Sequence, residues 1–280
     1  MNPNNPLQKY YRQARIYMAL PSKGLFYPPG ALQGDYNNVP IFGMTGMDEI
    51  IFKTPDALFN GEATTKVIES CCPYIKDASS MPSTDVDALL VGIRIATYGN
   101  EMELVHTCPN CSTENDFVVN LQTILDYFGS LTFDGKIKID ELTINIRPLA
   151  YNEITKFNME NYKLQKMLYQ LSKAENAGDD DAMSKIQDDI YKRIAEMQIE
   201  LFLTSIESVQ MEDGSTVDDE TYIKEWLENT ERQFFKKIKQ KLEANKTMWD
   251  MPQQHIVCTS CSHESDVSIT LDQANFFDKS

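Results

Sequence analysis

The sequence predicts an α+β fold, rich in helix, in which one small unit occurs twice and a long helical insertion separates the copies. Three observations predict it. Cys108–Cys111 and Cys258–Cys261 are both C-x-x-C pairs. A shift of 150 residues overlays their flanks without a gap: Ser112 on Ser262, Glu114 on Glu264, Asp116 on Asp266 and Leu121 on Leu271. The 146 residues between Cys111 and Cys258 show mostly helical periodicity.

The repeated unit is a knuckle, a polar turn and a half-buried strand, with Phe117 and Val119 of the first copy meeting Val267 and Ile269 of the second. Two such hairpins facing each other supply four thiolates in a tetrahedron, the arrangement that structural zinc prefers. The expected architecture is therefore a discontinuous four-cysteine zinc ribbon. Its ligands are Cys108, Cys111, Cys258 and Cys261, holding one structural Zn2+. Four thiolates fill the coordination sphere, so the ion is expected to fasten and not to catalyse. His106, His255 and His263 lie close to the knuckles and could replace a cysteine. With four thiolates already available, solvent-facing or hydrogen-bonding roles are the simpler reading. The competing reading is two unrelated surface pairs, one of them redox-active. A thioredoxin-type motif opens a helix in a βαβ unit, whereas each knuckle here leads into a strand.

Along the chain, residues 1–20 are rich in Asn, Pro and Tyr and read as an extended arm that orders on a partner. LPSKGLFYPPG (20–30) is a stiff loop punctuated by Gly and Pro. VPIFGM (39–44) is a short strand, and Thr45 caps a helix whose first turn carries acids. Helices follow near 62–72 and 83–97, the second capped by Ser83 or Thr84. Cys71 and Cys72 are read as small buried residues, not a vicinal disulfide. After the first knuckle and its strand, KIKID (136–140) and LTINIRPL (142–149) alternate as a β-hairpin. Helices are expected at 151–174 and 182–208, joined by a turn at ENAGDDD (175–181). Ile186, Ile190, Ile194, Met197, Leu201 and Ile206 lie near one face of the second. A strand, a turn at Asp213–Gly214, a short strand and a helix near Asp218 come next, then a last helix at 230–248. That helix carries Lys236, Lys237, Lys239 and Lys241, read first as a solvated face and second as a dock for an acidic partner. The expected organisation is an arm at 1–20, an α+β region at 21–104 and the first ribbon half at 105–121. A hairpin and helical insert at 122–254 and the second ribbon half with a tail at 255–280 complete it.

The formal net charge is −16 over 280 residues. Such a chain repels phosphate backbones and anionic membrane surfaces. Neither 105–121 nor 255–271 contains Lys or Arg, so the ribbon is not expected to bind nucleic acid. No segment is apolar for the 18 residues a bilayer span needs, and the N-terminus has no signal-like run. Cysteine usage points to a reducing cytoplasm. No P-loop, nucleophile elbow or H-E-x-x-H motif occurs, and all three histidines flank the ribbon. The chain is therefore read as a non-enzyme whose partners are proteins, with no small-molecule substrate.

LPSKGLFYPPG, VPIFGMTGMDE, TPDALFNGEA, DVDALLVGIRIATYGNEME and TCPNCS form an ordered series over residues 20–150. It resembles the baseplate hub assembly proteins of contractile-tailed, T-even-like bacteriophages. The similarity resumes more loosely in SVQMEDGSTVDDETYIKEWLEN and VCTSCS. Gly43 departs from the pattern, standing where proline is expected before Met-Thr. The resemblance implies a virion-assembly role, built into the central hub of the tail baseplate or helping it assemble, with other tail proteins as partners. It implies location in the virion, in the host cytoplasm during assembly, or both, and no catalytic residues. Two alternatives are kept: a zinc-ribbon regulator of nucleic acid or polymerase, marked by salt-dependent nucleic-acid binding, and a thiol redox enzyme, marked by disulfide reduction without zinc.

Overall fold

The computed structural model describes residues 5–174, 180–269 and 277. The chain forms two compact units, Met1–Thr132 with Trp249–Ser280, and Phe133–Met248. The mixed helix and sheet character agrees with the expected class. The second unit is shorter than the expected insert of 122–254. No helix among the described residues is long and apolar enough to cross a membrane.

The first unit opens with a short 3-10 turn, Pro6–Tyr10, and β1 (Ala14–Met18), which pairs antiparallel with β2 (Val39–Phe42). The expected extended arm is therefore corrected from residue 12 onward. The Arg12 guanidinium donates to the Gly43 carbonyl at 2.6 Å and to the Ser70 carbonyl at 2.7 Å, and lies 3.2 Å from Asp48. Ile16 and Met18 sit over Gly92, where a Cβ would come within 2.8 Å of the Met18 sulfur, so the two-stranded sheet rests on helix backbone there.

α1 (Gly46–Phe52) starts as expected: Thr45 and Asp48 form a reciprocal capping box. α2 (Pro55–Phe59) is a short turn of helix in TPDALF, and α3 (Glu62–Cys71) ends on the buried, unpaired Cys71 and Cys72. α4 (Ser83–Tyr98) is the core of this unit, buried along most of its length. Its N-cap position is Pro82, with no side-chain cap, so neither Ser83 nor Thr84 caps it. Asp85 is instead the anchor for the 20–30 loop. It accepts from the Ser22 N–H and hydroxyl at 2.7 and 2.6 Å and from the Tyr27 hydroxyl at 2.8 Å. Burial pushes the Asp85 carboxyl up to about 6, against the opposing pull of these donors.

The hairpin of β3 (Glu101–Thr107) and β4 (Glu114–Asn120) follows, then α5 (Leu121–Ser130), which buries Leu121, Ile124, Leu125 and Phe128. Sequence reading ran the strand on to Leu121. Asn120 stops it by accepting from the Gln122 N–H as an N-cap.

The second unit is built on an antiparallel sheet of order β5-β6-β7-β8. β5 (Lys136–Ile139) and β6 (Leu142–Ile146) turn through Asp140 at positive φ. α6 (Tyr151–Ala174) and α7 (Asp180–Ser205) are the two long helices. The expected turn at 175–181 lies mostly outside the described residues. α7 stops at Ser205, not at 208, because Ile206 begins β7 (Ile206–Gln210) and joins the sheet core. β8 (Thr216–Val217), α8 (Glu220–Glu228) and α9 (Arg232–Met248) complete the unit, with Asp219 as the cap of α8. Ile137, Ile139, Ile144, Ile146, Val209, Ile223, Leu227 and Ile238 fill the core between the sheet and these helices. On α9, Lys237 lies 3.6 Å from Asp140 and Lys239 lies 3.7 Å from Glu243, in keeping with a solvated face. The chain then returns to the first unit through β9 (Gln254–Val257) and β10 (Glu264–Val267), a second two-stranded hairpin.

Candidate metal centre

Both knuckles fold by the same local rules. The Ser112 N–H donates to the Cys108 carbonyl, and the Cys108 N–H to the Thr113 carbonyl, each at 2.9 Å. The twin bonds, Ser262 to Cys258 and Cys258 to His263, are also 2.9 Å. Ser112 and Ser262 adopt φ of 58° and 57°, a left-handed turn that brings the chain back into β4 and β10. The two knuckles thus repeat each other bond for bond.

The two hairpins bring all four expected cysteines together: their sulfurs lie within 4.8 Å of one another. Cys108 Sγ is 3.7 Å from Cys261 Sγ, and Cys111 Sγ is 3.6 Å from Cys258 Sγ. A disulfide needs about 2.05 Å, so these are not bonded pairs. A tetrahedral ion about 2.3 Å from each sulfur, the usual zinc–thiolate length, sets sulfurs about 3.8 Å apart. The cysteine cluster fits such an ion in both donor chemistry and spacing.

Thiolate is the form that binds metal, and the knuckle backbone favours it. Cys258 is held down to about 6, chiefly by the Cys261 and Ser260 N–H groups aimed at its sulfur. Cys111 is lowered by the Thr113 hydroxyl and N–H. Desolvation moves Cys108 the other way, up to about 11. A bound cation would favour the thiolate form of all four ligands.

Sequence reading missed the side chain that links the two halves. Asn115 is only 6% exposed. Its Oδ1 accepts from the Thr259 N–H and hydroxyl, both at 2.9 Å, across the boundary between the hairpins. Its Nδ2 donates to the Thr113 carbonyl at 2.9 Å and faces Cys258 Sγ at 3.6 Å. Asn110 Nδ2 similarly faces Cys261 Sγ at 3.5 Å. The signal was present: Asn115 lies in phase with the inward Phe117 and Val119, a polar residue on the apolar side of the strand.

No histidine joins the sulfur cluster among the described residues. His255 Nδ1 lies 3.0 Å from Asp266 Oδ1, and His263 contributes its carbonyl to the knuckle. His106 sits opposite Asn115 in the register, its Nε2 buried without a hydrogen-bond partner among the described residues and beside a small cavity lined by Cys108 and Cys258.

Among comparisons with known proteins, residues 46–278 match the model of a family described as T4 bacteriophage base plate protein. No curated protein and no solved structure matches.

Proposed function

Because the chain belongs to the T4 bacteriophage base plate protein family, we propose that it is a non-enzymatic part of the baseplate's central hub, fastened by one structural Zn2+. Cys108, Cys111, Cys258 and Cys261 would hold the ion. The family carries the coarser statement, a structural role in the phage tail baseplate among other baseplate proteins.

The observation that carries the zinc reading is the convergence of four sulfurs from two hairpins that lie 146 residues apart in the chain. The second unit, Phe133–Met248, is inserted between those hairpins. Holding both hairpins together closes a long loop, and loop closure removes freedom from the unfolded chain by an amount that grows slowly with loop length. All four donors are thiols, so a tetrahedral ion has no position left for a substrate or water. The acidic strands beside the knuckles, with no Lys or Arg, support a protein-facing role over nucleic-acid binding.

Two measurements test the reading. Elemental analysis of the purified chain should find about one zinc per molecule, and Cys258→Ser should lose it. Cross-linking of isolated baseplates should place the chain at the tail axis. Full zinc retention in Cys258→Ser sinks the ligand set, and a peripheral location in the baseplate sinks the hub assignment.

A further inference from the structure

The first unit carries two outward strand faces of opposite character. On β1, Arg15 and Tyr17 point out while Ile16 and Met18 point in. Tyr17 is 61% exposed, and Arg15 has no ion-pair partner among the described residues. Before Asp35 the sequence holds four basic residues and no acidic one, in a chain of net charge −16. Of the four, Arg12 is paired with Asp48, while Arg15 stands exposed on the β1 face.

The β3–β4 ribbon is its opposite. The register sets Glu103 across from Val118 and Val105 across from Asp116, all on the outward face. Val105 is 64% and Val118 59% exposed, and residues 101–120 contain no Lys or Arg. Exposed aliphatic residues set among charges of one sign mark a contact surface. The carboxylates beside them can be desolvated only against cations. Same-face residues on a strand repeat every two positions, about 6.6 Å apart. Arg15 and Tyr17 therefore have the same spacing as Glu103 and Val105, so a cation can meet a carboxylate while the phenol ring covers the neighbouring valine.

Because both complementary halves lie on this one chain, we propose that it associates with itself head to tail, the Arg15–Tyr17 face of one copy seated on the Glu103–Val118 face of the next. Such a contact is heterologous. Each added copy leaves one basic and one acidic face free, and the series ends only by closing into a ring. The proposal goes beyond the baseplate role and is independent of the zinc reading.

The test is sedimentation velocity on the full chain at low and high salt. The wild type should gain mass with concentration and lose it with salt. Arg15→Glu, and separately Glu103→Lys with Asp116→Lys, should each weaken association about tenfold or more through like-charge contact. All these positions are exposed, and circular dichroism should confirm that the variants fold. Mixing the two variants is the decisive arm. The first then carries carboxylates on both faces and the second cations on both, so when mixed they should co-associate at a 1:1 ratio while neither associates alone. A wild type that stays monomeric to on the order of 100 μM at low salt overturns the proposal, as do variants that associate like the wild type. A monomeric chain whose Arg15→Glu variant drops out of baseplates would assign this face to a different baseplate protein, refuting self-association while leaving the baseplate role standing.

Discussion

Asn115→Ala should weaken zinc binding about 10- to 100-fold without removing a ligand. The amide makes two 2.9 Å bonds to Thr259 and one to Thr113, and its Nδ2 faces the Cys258 sulfur. Thr259 is exposed, so water can replace part of what it loses. The net loss is then set by two or three bonds at about 1 kcal/mol each, near 2–3 kcal/mol. That matches the 10- to 100-fold typical when a partner of a metal ligand is removed. Competition with a chromophoric chelator measures the affinity, and a thermal melt of the zinc-loaded chain measures the stability. Asn115→Asp is the sharper variant. It keeps the acceptor for Thr259 but places negative charge beside a thiolate, so its affinity should fall at least as far. If Asn115→Ala binds zinc within twofold of the wild type, Asn115 does not clamp the two hairpins and the reasoning fails.

Arg12→Ala should destabilise the first unit by about 2–4 kcal/mol, because it strips donors from Gly43, Ser70 and the buried Asp48; an unchanged melting temperature would restore the reading of residues 12–20 as a loose arm. Gly43→Ala places a Cβ 2.8 Å from the Ala96 carbonyl oxygen, so a loss of about 1–3 kcal/mol is expected by chemical denaturation. Asp85 gives a pH dependence. Its carboxyl stands near 6 in the folded chain against about 4 unfolded, so its contribution is fully present below pH 4 and is lost as pH rises to 6. The stability of the wild type relative to Asp85→Asn should therefore fall by about 2 kcal/mol between pH 4 and pH 6.5 and stay nearly level above that. A gap that widens in favour of the wild type over that window would show that the donors from Ser22 and Tyr27 outweigh burial.

Local chemistry was legible where a short pattern sets the structure alone. The knuckles, the Thr45 cap, the KIKID hairpin and the helix ending at Met248 all follow from spacing and capping within a few residues. What stayed hidden depends on partners distant in the chain. Nothing near Arg12 says that its guanidinium will meet Gly43 and Ser70, or that Ala14–Met18 will pair with Val39–Phe42 as a strand. Nothing near Asp85 in the sequence says that it anchors a loop more than fifty residues upstream. Gly43 appeared only as a departure from a family pattern. Its reason is steric, the close approach of the Ala96 carbonyl. α7 ran long in the sequence because Ile206 continues the helical phase, and only pairing with β6 shows that it belongs to the sheet.

A chain of this length can bury a core without metal, and α4 provides one in the first unit. The need for a fastener is local. Among the described residues β9 and β10 pair only with each other, and neither strand contains a buried residue. A lone two-stranded hairpin is marginal in water. β3 and β4 differ, since Met102, Asn115 and Val119 are buried and α5 follows directly into the core. The two halves of the repeat are therefore unequal: the strands of the first bury Met102, Asn115 and Val119, while those of the second bury none and are flanked by the buried Cys258 and Ile269. Chelating the metal should then free the second hairpin and spare α4. Amide hydrogen exchange should speed up at 254–267 while 86–96 stays protected. Equal loss of protection in both segments would mean that the metal supports the whole first unit.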